Sequence, residues 1–366
     1  MTTRPRAVVA MSGGVDSSVA AALLVEAGFD VTGIMLKLWR GEAANSDSGC
    51  CNVSAASDAR RVADTLGIPF YVLNFAERFE STVVRSFHAD YAAGRTPNPC
   101  VRCNQWIKFD ALFDRAVALG ADVLATGHYA RVREVSGRYQ LLRGVDVAKD
   151  QSYVLWMLDQ LKLARTRFPV GDLDKSQTRS IAAELGLRTA TKPDSQEICF
   201  VRGGDLGAYV AESMPEAAAP GPILDGSGVV IGEHKGIGHY TVGQRKGLGI
   251  SLGVPAFVTQ IDAESNAIVI GHREDLAVES LTIEESSFVN KPLGAATKVL
   301  VQHRAHGEVN EATVYGPGPG RLEVHFDKPV DSVARGQSAA LYSREEPDLL
   351  LGGGVIHSTQ RVAVGV

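Results

Sequence analysis

The chain has no long hydrophobic run. None of its apolar stretches approaches the roughly 20 residues a membrane-spanning helix needs, and Met1-Thr2-Thr3-Arg4-Pro5-Arg6 holds no signal-peptide core. A cytoplasmic location without membrane association is therefore the expectation. Cysteine is scarce, five in 366 residues, and an odd number argues against a disulfide framework and for thiol chemistry in a reducing compartment. Neither sign of charge dominates: the net charge is −5, which as a total gives no sign of nucleic-acid binding. Repeats and low-complexity tracts are absent. With 45% hydrophobic and 22% charged residues, the composition is that of an ordinary globular protein, and the length suggests two or three domains.

One further absence is more telling. The run Ser12-Gly13-Gly14-Val15-Asp16-Ser17-Ser18 is a glycine turn without the lysine that ends a Walker loop. Ala7–Met11 before it reads as a short buried strand, and Val19–Leu24 after it reads as a helix stopping at Gly28. A strand feeding a glycine turn that opens a helix leaves several N–H groups unpaired and aimed one way. With the helix dipole, they bind phosphate oxygens. Gly13 and Gly14 let the backbone come close to such a ligand. The run is similar to the pyrophosphatase loop of ATP enzymes that release pyrophosphate and transfer or transiently attach AMP.

The first 200 residues alternate in pattern. Strands are expected at Arg6–Met11, Val31–Leu38, Phe70–Phe75 and Val123–Thr126. Helices are expected at Asp16–Ala27, Ser57–Leu66 and Phe109–Leu119, and at Lys175–Leu185 with a capping box from Asp174 and Gln177. This predicts an α/β doubly wound parallel sheet, Rossmann-like, with ligands at the carboxyl ends of the strands, where Thr126-Gly127-His128-Tyr129 also falls. From about residue 220 Gly and Pro become frequent. Short alternating runs follow at Phe257–Asp262, Ala267–Ile270, Lys298–Gln302, Ala312–Tyr315 and Leu322–Phe326, which predict a small β-barrel. The expected domains are a catalytic domain over 1–200, a connecting subdomain over 201–283 and a C-terminal β-barrel domain over 284–366. Residues 1–200 hold 24 Lys and Arg against 22 Asp and Glu. Arg131, Arg133, Arg138, Arg143 and Lys149 cluster there, as a phosphate-contacting patch or as a solvated hairpin face.

Thr96-Pro97-Asn98-Pro99-Cys100-Val101-Arg102-Cys103-Asn104 is expected to be a loop, because two prolines one residue apart oppose helix and central strand. Its thiols have the spacing of a redox pair or of half a metal site, yet no second such pair exists to complete four zinc ligands. Cys50 and Cys51 are adjacent, so their side chains diverge in an extended segment. Cys199, in Lys192-Pro193-Asp194-Ser195-Gln196-Glu197-Ile198-Cys199-Phe200, reads by itself as buried filler.

Taken together, these segments resemble the bacterial tRNA 2-thiouridylases of the MnmA type over nearly the whole chain. The matching landmarks are Ala10 to Ser17, Gly49-Cys50-Cys51, Asn98 to Asn104 with Ile107-Lys108-Phe109, and Ala125 to Tyr129. Further matches are Asp150-Gln151-Ser152-Tyr153, the Cys199 segment and Thr241 to Gly249, then Gly336-Gln337-Ser338-Ala339 and Leu351-Gly352-Gly353-Gly354. The resemblance implies ATP-dependent 2-thiolation of the wobble uridine of tRNA. ATP adenylates the carbon-2 oxygen with release of pyrophosphate, and a sulfur nucleophile then displaces AMP.

By that resemblance Ala10, Met11, Ser12, Gly13, Gly14, Val15, Asp16 and Ser17 hold ATP, with Leu36 and Gly127 completing the pocket and Asp16 beside magnesium. Cys199 is the persulfide carrier and Cys103 the nucleophile that completes sulfur release, leaving a Cys103–Cys199 disulfide for reductants to reset. Asn98, Pro99 and Cys100 line the flipped base. His128, Lys149, Asp150, Gln151 and Gln337 touch tRNA. The sulfur comes from a cysteine desulfurase or a sulfur-relay protein.

Two positions depart from the family. Cys100 stands where many members carry Asp, so Cys100, Cys103 and Cys199 form a candidate ligand set for a [4Fe-4S] cluster that would carry the sulfur instead. Gln302-His303 replaces an Arg-Tyr pair on a barrel strand, with Arg304 beside it to supply the charge. Other enzymes with the same loop, such as 4-thiouridine synthase, are the alternative.

Overall fold

The computed structural model describes residues 4–39, 53–194, 198–201, 205–250, 253–316 and 320–362. The chain forms two compact units, one of residues 1–83, 100–204 and 348–351, the other of 84–99, 205–347 and 352–366. Cys50 and Cys51 lie outside the described residues.

The first unit begins with β1 (Arg6–Ala10), α1 (Val15–Glu26), β2 (Asp30–Lys37), α2 (Val53–Leu66), β3 (Phe70–Asn74) and α3 (Ala76–Phe79). The chain leaves through a π-helical turn, Glu80–Val84, into α4 (Arg85–Ala92) of the second unit. It returns with α5 (Pro99–Arg102), a π-helical stretch Cys103–Leu112 and α6 (Phe113–Ala118). Then come β4 (Val123–Thr126), β5 (Ala130–Val135), β6 (Arg138–Arg143), α7 (Gln160–Ala164), β7 (Thr166–Arg167) and α8 (Lys175–Glu184).

The sheet has strand order β3-β2-β1-β4-β7 and is parallel throughout. Ala7, Val8 and Val9 are buried in succession because both faces of such a sheet are covered. The chain moves to opposite sides of β1 for β2 and β4, so the order reverses between β1 and β4. That reversal opens a crevice at their carboxyl ends. Helix α1 is apolar nearly all round and packs Val19, Ala20, Ala21 and Leu24 into the core with Val9, Met35, Ala59 and Val123. The capping box that opens α8 is present, with Asp174 accepting from the Gln177 N–H and Gln177 returning the bond.

Thr96–Asn104 is not the loop its prolines suggest. Pro99 is the first residue of α5, the one helical position where its missing N–H costs nothing. Helix therefore runs from Pro99 through the π-helical turns to Ala118 without interruption.

The second unit adds α9 (Leu206–Ser213), β8 (Gly221–Leu224), β9 (Val230–His234), β10 (Phe257–Asp262) and β11 (Ala267–Gly271). These strands form a sheet of order β10-β11-β8-β9 around Ile223, Val258, Ile268 and Ile270. There follow β12 (Ala277–Phe288), β13 (Thr297–Gln302), β14 (Val309–Tyr315), β15 (Gly320–Asp331), β16 (Ser338–Ser343) and β17 (Leu349–Arg361). They run in the order β12-β15-β14-β13-β16-β17, and β17 pairs back onto β12. The result is a closed barrel, which leaves no open edge among these strands. Gly352 is obligatory at the closure, because a Cβ there would stand 2.2 Å from Ser287 O.

Candidate active site

The phosphate loop lies where β1 gives way to α1. Gly13 takes φ +74°, and a Cβ on it would stand 2.3 Å from Ala55 O, so only glycine serves here. Gly14 is the N-cap of α1 and supplies no side-chain cap. The first-turn N–H groups are thus left for an external acceptor. Serines brace the loop: Ser12 N donates to Ser17 Oγ at 3.1 Å, and Ser18 Oγ donates to Gly14 O at 2.8 Å. From the neighbouring strand end, Gly127 presses on the loop so closely that a Cβ would meet Ser17 N at 2.6 Å. Met11, Val15 and Leu36 are buried around it.

The cation missing from the loop arrives from far along the chain. Lys175, the first residue of α8, places Nζ 2.7 Å from Asp16 Oδ1 and 2.8 Å from Asp194 Oδ1. Tyr129 donates its hydroxyl to Asp16 Oδ1 at 2.8 Å and lies 3.0 Å from Thr178 Oγ1. Burial, with the Asp16 charge beside it, pushes the Tyr129 phenol far above its usual range, so it stays a donor. Lys192 Nζ donates to Gly13 O at 2.9 Å and pairs with Asp58 at 2.8 Å. Asp194 also meets Lys149 at 2.7 Å and Arg179 at 3.1 Å. Burial works to raise its carboxyl, but the hydrogen bonds and charges of Lys149 and Lys175 outweigh that and hold it below the ordinary carboxylate range. Lys175, Arg179, Lys192 and Asp194 were not singled out from sequence. A lysine at the first turn of a capped helix, and the charged pair around Pro193, were the available signals.

Cys100, Cys103 and Cys199 are thiols, Cys100 exposed and the other two half-buried. Cys100 and Cys103 are three residues apart on continuous helix and so share a face. Beside them Asn104 is buried and donates to Val154 O at 3.1 Å, while the Arg102 guanidinium lies 4.7 Å over the Trp106 ring. Cys199 is followed by Phe200, whose buried ring packs 5.7 Å from Trp39 and 6.0 Å from Phe79. Among the described residues no three His, Cys, Asp or Glu side chains are grouped to hold a metal. Cys100, Cys103 and Cys199 therefore do not form the three-thiolate ligand set that an iron–sulfur cluster would need.

The residues expected at tRNA separate into two kinds. His128 and Asp150 are interior rather than surface-lying, which corrects the expectation of direct contact. His128 bonds Thr126 Oγ1 through Nδ1 at 2.7 Å, and burial, together with the Lys108 charge, holds its pKa well below the usual histidine range. Asp150 accepts from Gly144 N, Ser152 N, Ser152 Oγ and Arg143 Nη1, the last at 2.7 Å. Lys149 and Gln151 reach the surface; Gln151 Oε1 accepts from Tyr129 N at 3.1 Å. In the second unit, Gln337 Nε2 donates to Thr96 O at 2.9 Å and so fixes the backbone just before Asn98 and Pro99. Gln302 and His303 are both buried, and Arg304 Nη2 donates to Asp331 O and Ser332 O. The described residues include no helix long and apolar enough to cross a membrane.

Sheet order, uncapped glycine turn and strand-end crevice define a nucleotide-binding α/β domain of the HUP class joined to two β modules. Residues 5–203 match the family described as the tRNA methyl transferase HUP domain. Residues 207–272 match its PRC-barrel domain, and 278–356 match the aminomethyltransferase beta-barrel domain. The tRNA-specific 2-thiouridylase MnmA of Clostridium perfringens is 44% identical over 97% of this chain and 99% of its own length. That of Moorella thermoacetica is 46% identical over 97% and 100%. A solved 4-thiouridine synthetase–RNA complex with bound ATP aligns over 55% of this chain and 46% of its own at 16% identity and a TM-score of 0.37. The chain belongs to the tRNA-specific 2-thiouridylase MnmA family.

Proposed function

We propose that the chain is a tRNA-uridine 2-sulfurtransferase that uses ATP to thiolate the wobble uridine of the anticodon. The observation that carries this reading is the uncapped glycine turn facing Lys175, in a chain of this family. The turn's N–H groups and the Lys175 ammonium suit a triphosphate. In the reaction the carbon-2 oxygen attacks the α-phosphorus and pyrophosphate leaves. Magnesium enters with the nucleotide, Asp16 being the nearest carboxylate.

The terminal sulfur of a Cys199 persulfide then attacks carbon-2, and the C–O bond breaks to release AMP. Cys103 attacks the Cys199 sulfur next. The S–S bond to the transferred sulfur breaks, leaving 2-thiouridine and a Cys103–Cys199 disulfide that an external reductant resets. A cysteine desulfurase or relay protein supplies the persulfide sulfur. Asn98, Pro99 and Cys100 flank the flipped base, while Lys149, Gln151 and the Gln337-braced backbone serve tRNA. The enzyme works in the cytoplasm.

The test is to incubate pure protein with tRNA, ATP, magnesium, cysteine desulfurase and cysteine, then to analyse nucleosides by mass. Formation of 2-thiouridine with stoichiometric AMP is expected. Formation of 4-thiouridine, or no RNA-dependent pyrophosphate release, overturns the reading.

A further inference from the structure

Residues 190–194, which lead to Cys199, are tied to the phosphate loop by charge. Arg179 Nη1 donates to Ala190 O at 2.6 Å, and its Nη2 donates to Lys192 O at 3.0 Å and Asp194 at 3.1 Å. Lys192 reaches Gly13 O in the loop itself. Lys175 bridges the loop and this segment, touching Asp16 with one side of its ammonium and Asp194 with the other. Its side chain is only 13% exposed, so solvent screens the bridge weakly.

Asp194 thus occupies a ring of three cations, Lys149, Lys175 and Arg179. A carboxylate so placed is an internal counter-anion, and a triphosphate brought to the loop competes with it for Lys175. Pro193 between Lys192 and Asp194 stiffens the segment, so both contacts respond together.

We propose that Asp194 is a positioning residue that couples occupancy of the phosphate loop to Cys199: nucleotide phosphates draw Lys175 off Asp194, and the segment holding Cys199 is released to act. The proposal rests on the reading of the loop as the ATP site and of Cys199 as the sulfur carrier. Its consequence is order. Cys199 is held back while the loop is empty and is set free once activation of the base has become possible.

The experiment measures how fast iodoacetamide alkylates Cys199 in the full-length protein, by mass spectrometry, with Cys100 in the same chain as internal reference. A non-hydrolysable ATP analogue with magnesium should speed Cys199 at least fivefold in the wild type. Asp194→Asn should show the fast rate without nucleotide and gain less than twofold from it, while still binding the analogue by calorimetry. Asp194→Glu should restore the response. Should Asp194→Asn fail to fold, Lys192→Met cuts the second tether and carries the same expectation.

A wild-type Cys199 rate indifferent to bound nucleotide, or a wild-type response in the tether variants, overturns the coupling. Neither outcome touches the thiolation assay, which stands or falls on 2-thiouridine. A wild type that binds no analogue overturns the ATP reading and the coupling with it.

Discussion

Lys175 Nζ rests 2.7 Å from Asp16 Oδ1, across 159 residues of chain. This pairing gives the phosphate loop a cation that its own sequence lacks. Lys175→Ala should therefore cut tRNA-dependent pyrophosphate release by about 100-fold or more, the usual loss when one charge-stabilising donor is removed. Asp16→Ala should abolish release as well. Both variants should melt near the wild-type temperature without ATP, since both side chains border the site rather than the core. Full release by either variant removes these residues from the phosphate site.

Gly127→Ala forces a methyl to within 2.6 Å of Ser17 N, a backbone atom at the start of α1 that cannot swing aside. Overpacking of this kind costs about 1–3 kcal/mol. The expected result is a lower denaturation midpoint together with weaker ATP binding, because the loop itself must shift. Unchanged ATP affinity would show that the strand end and the loop move independently.

Cys199→Ser should retain tRNA-dependent pyrophosphate release and form no thiolated base, because serine carries no sulfane sulfur. Labelled sulfur from cysteine and desulfurase should fail to attach to the protein. Label accumulating on Cys100 or Cys103 instead would reassign the carrier.

Arg131, Arg133 and Arg138 share one face of the β5–β6 hairpin by register, since Arg133 is opposite Gln140 and Val135 opposite Arg138. Arg131 is engaged by Asp348 at 2.9 Å and by Arg143 O, so two of the three are expected to meet phosphates. Replacing all three with Ala should weaken binding of every tRNA alike and flatten the plot of log affinity against log salt by about 1.4–1.8. An unchanged slope would make this face a solvated one.

His303 is buried in the second unit with Nδ1 lacking a hydrogen-bond partner, and burial, with Arg304 beside it, pushes its pKa down to about 4. The unfolded chain binds this proton near pH 6.5 and the folded one only near pH 4, so stability falls as pH drops through that window. The contribution at stake is about 3 kcal/mol. His128 titrates in the same direction. His303→Phe should therefore flatten, without abolishing, the loss of stability between pH 6.5 and 4. An identical slope in wild type and variant would mean that His303 is protonated in the fold.

The parallel sheet was legible because each strand is a short apolar run bounded by glycine or a polar turn, and its alternation with helices leaves few topologies. The phosphate loop was legible for the same local reason. The α5 start was not, since Pro97 and Pro99 look alike as helix breakers until the N1 position is known. Nor were the contacts of Lys175, Lys192 and Asp194, which join residues over a hundred positions apart to the loop and leave no periodic trace. The interior placement of His128 and Asp150 escaped for a related reason: a polar residue type does not reveal whether its partners are protein or solvent.

β6 finds its partners two hundred residues downstream, where Leu141 and Leu142 pair with Leu350 and Leu349. The first compact unit thus borrows residues 348–351. During synthesis, the β6 edge must wait unpaired until nearly the whole chain has left the ribosome. A fragment ending at residue 203 would contain the phosphate loop and every cysteine, yet present that strand edge to its neighbours. Such a fragment should self-associate through β6, whereas the intact chain protects itself by supplying its own late strand.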